Sequence, residues 1–215
     1  LIAGKRLGLI TNQTGVDASG VPTIDRLFRH LGARLVALFA PEHGIRGTYR
    51  PGESVRDTAL GASDTLDAAT GLPIYSLYGP RRAPTSAQLD AVDVLLVDLQ
   101  DVGARTFTFA STTVYAMRAA AAAHKRIIVL DRPNPIGCAV QGPVLDPTSA
   151  SFIGMLPVPL RHGMTIGELA RLANRELRIR ADLVVVPMKG WRRCMWFDET
   201  GLPWVQPSPN LTDLG

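Results

Sequence analysis

Most signatures that would name a chemistry are missing from this chain. No GxGxxG follows the first strand-like run, which argues against a dinucleotide, and there is no Walker A sequence for a nucleoside triphosphate. No GxSxG elbow appears, and neither cysteine follows a strand as a nucleophile would. The four histidines, His30, His43, His124 and His162, lack metal-ligand spacing, so no metal and no cofactor are expected. No basic run is interleaved with aromatics, which leaves nucleic-acid binding without support. No apolar run is long enough to cross a bilayer, and no internal repeat or low-complexity segment is present. The two cysteines, Cys138 and Cys194, are far apart; two separate thiols are expected, with one disulfide as the alternative.

What is present is a chain of 215 residues, enough for one sizeable core. Its apolar and charged fractions, 46% and 20%, are those of a globular protein with a packed interior. A net charge of +4 is compatible with an anionic ligand without requiring one. The chain opens on Leu1 as the lead-in to a strand and stops without closing an element, so a fragment of a longer protein is expected, and oligomeric state is not readable.

Strand-like and helix-like patterns alternate. Short apolar runs at Arg6–Thr11, Arg34–Ala40, Leu72–Leu77, Asp93–Leu99, Arg126–Leu130 and Asp182–Pro187 read as buried strands, because strands covered on both faces are continuously apolar. Between them lie helical patterns. One carries Ile24, Leu27, Phe28 and Leu31 on a face, and a short one opens at Thr85 or Ser86. A long alanine-filled one spans Thr108–His124, and one from Ile166 to about Leu177 opens with Thr165 and Glu168 as a capping box. Thr48–Gly71 is irregular, and a loop of that length suggests a lid or binding loop. Ile136–Leu160, rich in glycine and proline, is expected to wind over the surface. The pattern predicts an α/β fold, doubly wound and Rossmann-like, with a mainly parallel sheet and helices on both faces. Residues 1–187 form this unit, and 188–215 read as a tail leading toward a further domain.

In such sheets ligands bind outside the carboxyl ends of the strands. The polar residues follow that rule: Asn12 and Gln13 after the first strand, Glu42, His43 and Arg46 after the second, Tyr78 after the third. Asp98, Gln100, Asp101 and Arg105 follow the fourth strand, and Asp131, Arg132 and Asn134 the fifth. The opposite strand ends are plainer, with Lys5, Arg34, Asp93 and Lys125. Carboxylates, amides, arginines and a tyrosine suit a polar or anionic ligand and carboxylate acid–base work. Glu42, fixed between Pro41 and Gly44, is the strongest acid/base candidate, and Asp101 the second carboxylate. Asp98 reads better as a buried structural hydrogen-bonder, Asp131 as the residue that ties down the turn after it, and Glu168 as a cap. Arg105 is expected either to bind a carboxylate or to pair with Asp101, and His162 reads as a turn histidine.

Taken in order, the stretches GLITNQTG, FAPEHGIRG, VDLQDVGARTFTF, LDRPNPIG, QGPVLD, VPLRHGMTIGELA and PSPNL resemble the DUF1343, or YbbC-like, family. Its characterised members are exo-β-N-acetylmuramidases of the NamZ type. The resemblance implies a glycoside hydrolase that removes terminal β-1,4-linked N-acetylmuramic acid from the non-reducing ends of peptidoglycan fragments. It places the family's proposed catalytic glutamate on Glu42. Either Asp101 or the substrate's own acetamido group supplies the second function, and Arg46, Arg105 or Arg132 meets the lactyl carboxylate. It also implies an extracytoplasmic location, secreted or periplasmic. Two other classes compete: a non-catalytic sugar-binding module, and a Mg²⁺-dependent phosphohydrolase using Asp98, Asp101 and Asp131.

Overall fold

The computed structural model describes residues 1–30, 34–55 and 66–211. Eight strands and four α-helices are described: β1 Arg6–Thr11, α1 Thr23–Phe28, β2 Arg34–Ala40, β3 Ile74–Ser76, α2 Ser86–Asp90, β4 Val94–Asp98, α3 Thr108–Ala122, β5 Arg126–Leu130, β6 Gln141–Val144, β7 Pro159–Arg161, α4 Ile166–Glu176 and β8 Leu183–Val186. Six strands form one sheet in the order β3-β2-β1-β4-β5-β8. Every pairing in it is parallel. This is the doubly wound arrangement the sequence predicts, and its order reverses between β1 and β4.

Alternation along each strand divides the core between two layers. Ile10, Phe39, Leu95, Val97, Ile127 and Val129 face Leu89 of α2, Phe109, Ala116 and Met117 of α3, and Ile166 and Ala170 of α4. Leu7, Leu9, Leu38, Leu96 and Ile128 face the other way, toward Ile24 and Leu27 of α1. The alanines of α3 do what small side chains allow: Ala116 and Ala120 are fully buried and bring the helix close to the sheet. The α4 capping box is present, with the Thr165 hydroxyl accepting from the Glu168 amide and the Glu168 carboxylate accepting from the Thr165 amide.

Differences from the sequence reading have local causes. The third strand shortens to three residues, Ile74–Ser76, because Pro73 has no amide to donate. The stretch Ile136–Leu160 is only partly surface chain: residues 140–151 are mostly exposed, but Phe152, Leu156 and Val158 are buried, the last two in a small cluster with Val114 of α3 and Leu169 of α4, and β6 and β7 form a short antiparallel pair. Leu31, predicted on the first helical face, and residues 56–65 of the irregular Thr48–Gly71 stretch lie outside the described residues. The tail after β8 folds back across the carboxyl ends of the strands. Phe197 is buried against Trp204, with ring centroids 4.9 Å apart, and the Phe197 amide donates to the Pro135 carbonyl.

Candidate active site

Glu42 stands where β2 must stop. Pro41 ends the strand, and the Gly44 amide closes a turn onto the Pro41 carbonyl at 3.0 Å. His43 and Gly44 both take left-handed backbone, φ 72° and 73°. Glycine is at ease there and histidine is not, so the turn is held by its surroundings: buried His43 donates from Nδ1 to the Tyr49 carbonyl at 3.2 Å. Half-buried Glu42 is aimed across to α3. Its Oε2 accepts from the Thr108 hydroxyl at 2.7 Å, and its Oε1 accepts from the Gly52 amide at 3.0 Å. The Tyr78 hydroxyl, just past β3, lies close enough to the Glu42 carboxylate to feel its charge. Burial, then the neighbouring Glu42 carboxylate, push the Tyr78 hydroxyl up, against the opposing pull of Arg82, so it stays a proton donor. Thr108 is the first residue of α3, whose N-terminal end carries partial positive charge. Acid, phenol, threonine hydroxyl and helix terminus therefore converge from β2, β3 and α3.

Around this cluster lies an aromatic group. The Phe152 ring is 6.0 Å from Tyr78 and 5.8 Å from Tyr115, and the Arg82 guanidinium rests over it at 4.4 Å.

The other rim residues are engaged with the protein itself. Arg46 does not pair with Glu42; it binds the buried Asp67, at 2.8 Å to Oδ1 and 3.1 Å to Oδ2. Arg105 meets no carboxylate: its guanidinium donates to the carbonyls of Pro143 and Val158, at 2.7 and 2.6 Å, and holds the β6–β7 region. Arg132 grips Asp98 with two nitrogens, at 2.6 and 3.0 Å, while Asp98 also accepts from the Thr23 hydroxyl at 2.6 Å. Asp131 accepts from the Arg132 amide, as expected of a turn residue, and also from Thr165 and the Gly167 amide at the start of α4. Burial nevertheless raises its pKa above the usual carboxylate range, outweighing these donors.

The amides serve turns. Asn12 Oδ1 accepts from the Thr14 amide and hydroxyl, while its Nδ2 is buried without a partner. Gln13 donates to the Gln206 carbonyl and ties the tail down. Gln100 donates to the carbonyls of Asp101 and Pro133, and Asn134 donates to that of Met164. Asp101 and His162 form a buried pair. The Met164 amide donates to His162 Nδ1, which leaves the ring proton on Nε2, 3.3 Å from Asp101 Oδ2. That contact is close in distance but too poorly aligned for a hydrogen bond, and Asp101 Oδ1 has no partner. Gly103 is required beside this pair: its φ is 80°, and a Cβ there would lie 2.4 Å from Asn134 Oδ1. Asp98, Asp101 and Asp131 thus have separate partners, and no three acidic, histidine or cysteine side chains converge as metal ligands among the described residues.

A cavity of about 480 Å³ opens over the carboxyl ends of β1, β4, β5 and β8, lined by Asp17, Asp98, Arg132, Lys189, Trp191 and Met195, among others. Glu42 is not part of its wall. Two of the acids in its wall are engaged in ion pairs, Asp98 with Arg132 and Asp17 with Arg26. The cavity wall depends on the tail, and the tail is fastened by a feature the sequence reading had otherwise. Cys138 and Cys194 are not separate thiols but a disulfide, Cα to Cα 4.4 Å across 56 residues of sequence. The return of the chain after β8 brings Cys194 to the loop after β5, and linear spacing cannot show such a return.

Sequence reasoning also passed over Thr108, Gly52, Asp67 and Phe152. Thr108 sits at a helix start, a position that alone suggests capping. The others lie in irregular stretches, where periodicity says nothing about direction.

The sequence profile described as "Exo-beta-N-acetylmuramidase NamZ, N-terminal" matches residues 7–215. A Bacillus subtilis (strain 168) protein, "Peptidoglycan beta-N-acetylmuramidase NamZ", is 50% identical over 211 residues, covering 98% of this chain and 49% of its own. Two crystal structures of DUF1343 family proteins from Bacteroides fragilis NCTC 9343 superpose closely. One has a TM-score of 0.88 at 44% identity, over 99% of this chain and 53% of that one. The other has a TM-score of 0.80 at 37% identity, over 98% and 53%. The chain spans about half the length of each of these relatives. With the parallel sheet in common and the profile running through nearly every residue, this chain belongs to the NamZ N-terminal, DUF1343 family.

Proposed function

We propose that this chain carries the acid/base glutamate of an exo-β-N-acetylmuramidase, a glycosidase that removes terminal β-1,4-linked N-acetylmuramic acid from non-reducing ends of peptidoglycan fragments. The observation that carries the reading is the setting of Glu42: a half-buried carboxylate at the carboxyl rim, held by the Thr108 hydroxyl and the Gly52 amide, with the Tyr78 phenol beside it and no cation paired with it among the described residues. A hydroxyl can turn from donor to acceptor, so Thr108 can serve Glu42 in either protonation state. A general acid that later acts as a base needs that freedom.

In this reading Glu42 gives its proton to the leaving glycosidic oxygen as the bond to the anomeric carbon breaks, then takes a proton from the incoming water. The nucleophile is the carbonyl oxygen of the substrate's acetamido group. Asp101 is less suited, being 3% exposed and turned to Gly103 and His162. No other carboxylate among the described residues shares a hydrogen-bond partner with Glu42. Neighbouring-group attack followed by water gives retention at the anomeric carbon. The names of the Bacillus subtilis relative and of the matching family support the substrate class. Residues 1–187 would be the catalytic α/β unit, and 188–215 the connection to a further domain, consistent with relatives of twice the length.

The test is sugar release from a chromogenic β-N-acetylmuramic acid glycoside, wild type against Glu42→Gln, with and without EDTA. Loss in the variant, no effect of EDTA and retention seen by NMR are expected. Full activity in Glu42→Gln would remove the assignment; inhibition by EDTA would favour the phosphohydrolase-like metal reading.

A further inference from the structure

The proposed substrate differs from other N-acetylated sugars by a carboxylate on its lactyl ether, and a site that selects it needs a cation free to receive it. The arginines that sequence alone offers are committed elsewhere. Arg46 is held by Asp67, Arg132 by Asp98, and Arg105 by the carbonyls of Pro143 and Val158. One guanidinium near Tyr78 differs. Arg82 makes no ion pair with a described residue; its guanidinium lies over the face of Phe152, 4.4 Å from the ring centroid, and its charge reaches Tyr78. Phe152 is buried and packs on Tyr78, whose hydroxyl lies close to the Glu42 carboxylate.

We propose that Arg82, held over the Phe152 ring beside Tyr78, forms the carboxylate-binding subsite that selects the lactyl-bearing sugar. The inference rests on the muramidase reading and adds to it the specificity determinant. The chemistry fits a guanidinium better than an ammonium. A guanidinium held over an aromatic ring can keep N–H groups free, and its fork of donors matches the two oxygens of a carboxylate. Stacking also fixes the long side chain in advance, so less freedom is lost when the anion binds. The site then has two parts: Glu42 at the bond to be broken, and Arg82 reading the substituent that distinguishes the sugar. A cation serving only to pack Phe152 would affect stability and leave the choice of sugar unchanged.

The experiment compares kcat/KM for the chromogenic N-acetylmuramic acid glycoside with that for its uncharged lactyl amide, in wild type, Arg82→Gln, Arg82→Lys and Arg50→Gln. In Arg82→Gln the acid-to-amide ratio is expected to fall about 10- to 100-fold, mostly through KM, as for loss of one charge-assisted hydrogen-bonded pair. Arg82→Lys recovers part of the ratio, and Arg50→Gln, an exposed neighbour on the loop before Gly52, leaves it unchanged. An active Arg82→Gln with a wild-type ratio, or a collapse in Arg50→Gln instead, overturns the proposal while the muramidase reading stands. Where wild type cleaves neither glycoside, binding takes the place of turnover. Calorimetric binding of free N-acetylmuramic acid against its lactyl amide then decides Arg82 alone. A preference for the acid that disappears in Arg82→Gln supports it, and equal affinities in wild type overturn it.

Discussion

On the β2–β3 side of the rim, Glu42 is met by a hydroxyl and an amide; on the β4–β5 side, Asp98 is met by a guanidinium that occupies both of its oxygens. Both acids follow apolar strands of one sheet, and in sequence they look alike. Asp98 is 1% exposed and its negative charge is cancelled in place, so protonating it would break an ion pair. Glu42 keeps access to solvent and has a hydroxyl partner that can reverse its hydrogen bond. The difference teaches that a carboxylate is available for chemistry when its partners are adaptable, and becomes architecture when its partner is a fixed cation.

The contrast can be broken by substitution. Glu42→Gln should lower kcat about 10²- to 10⁴-fold while the urea midpoint stays within error of wild type. Arg132→Ala should do the reverse. It strands a buried carboxylate and costs about 3–5 kcal/mol of unfolding free energy, read from urea denaturation. If it instead abolished activity in a protein of normal stability, the two sides would have been assigned the wrong way round. Replacing both Cys138 and Cys194 by serine should cost about 2–4 kcal/mol, and it should affect the Asp98 side before the Glu42 side. Thr108→Val keeps the shape of the residue and removes one donor to Glu42; about a tenfold drop in kcat is expected, with little change in melting temperature.

The smallest effects are those of pH on stability. Arg6 holds the Asp93 carboxyl down to about 2. Its pKa is lower folded than unfolded, so the pair's contribution is full above about 4 and is lost as pH falls toward 2. Asp131 runs the other way. Its pKa is raised by burial, so its contribution is present below the unfolded value of about 4 and is lost as pH rises through the folded value. Asp93→Asn should therefore flatten the acid limb of a stability–pH curve, and Asp131→Asn should flatten the segment above it.

The fold was legible because it is written in period and length. The buried apolar strands Arg6–Thr11, Arg34–Ala40 and Arg126–Leu130 begin and end where the runs predict, and the capping box at Thr165 marks the start of α4. The location of polar residues at the carboxyl ends followed from the same pattern. The partners of those residues were not legible. Whether Arg46 meets Glu42 or Asp67, and whether Arg105 meets an acid or two carbonyls, depends on loop paths that carry no period. Asp98 was the exception: an acid inside an apolar run has to be neutralised, and it is. The disulfide was misread for the same reason as the arginines, since it depends on where the tail returns.

That bridge also orders events in time. Cys138 leaves the ribosome 56 residues ahead of Cys194, before α4 and β8 have been made. Its partner arrives only after the last strand of the sheet. Oxidation therefore acts as a late latch: it closes once β8 has been added beside β5 and the tail has crossed the rim, and its formation reports that the sheet is complete.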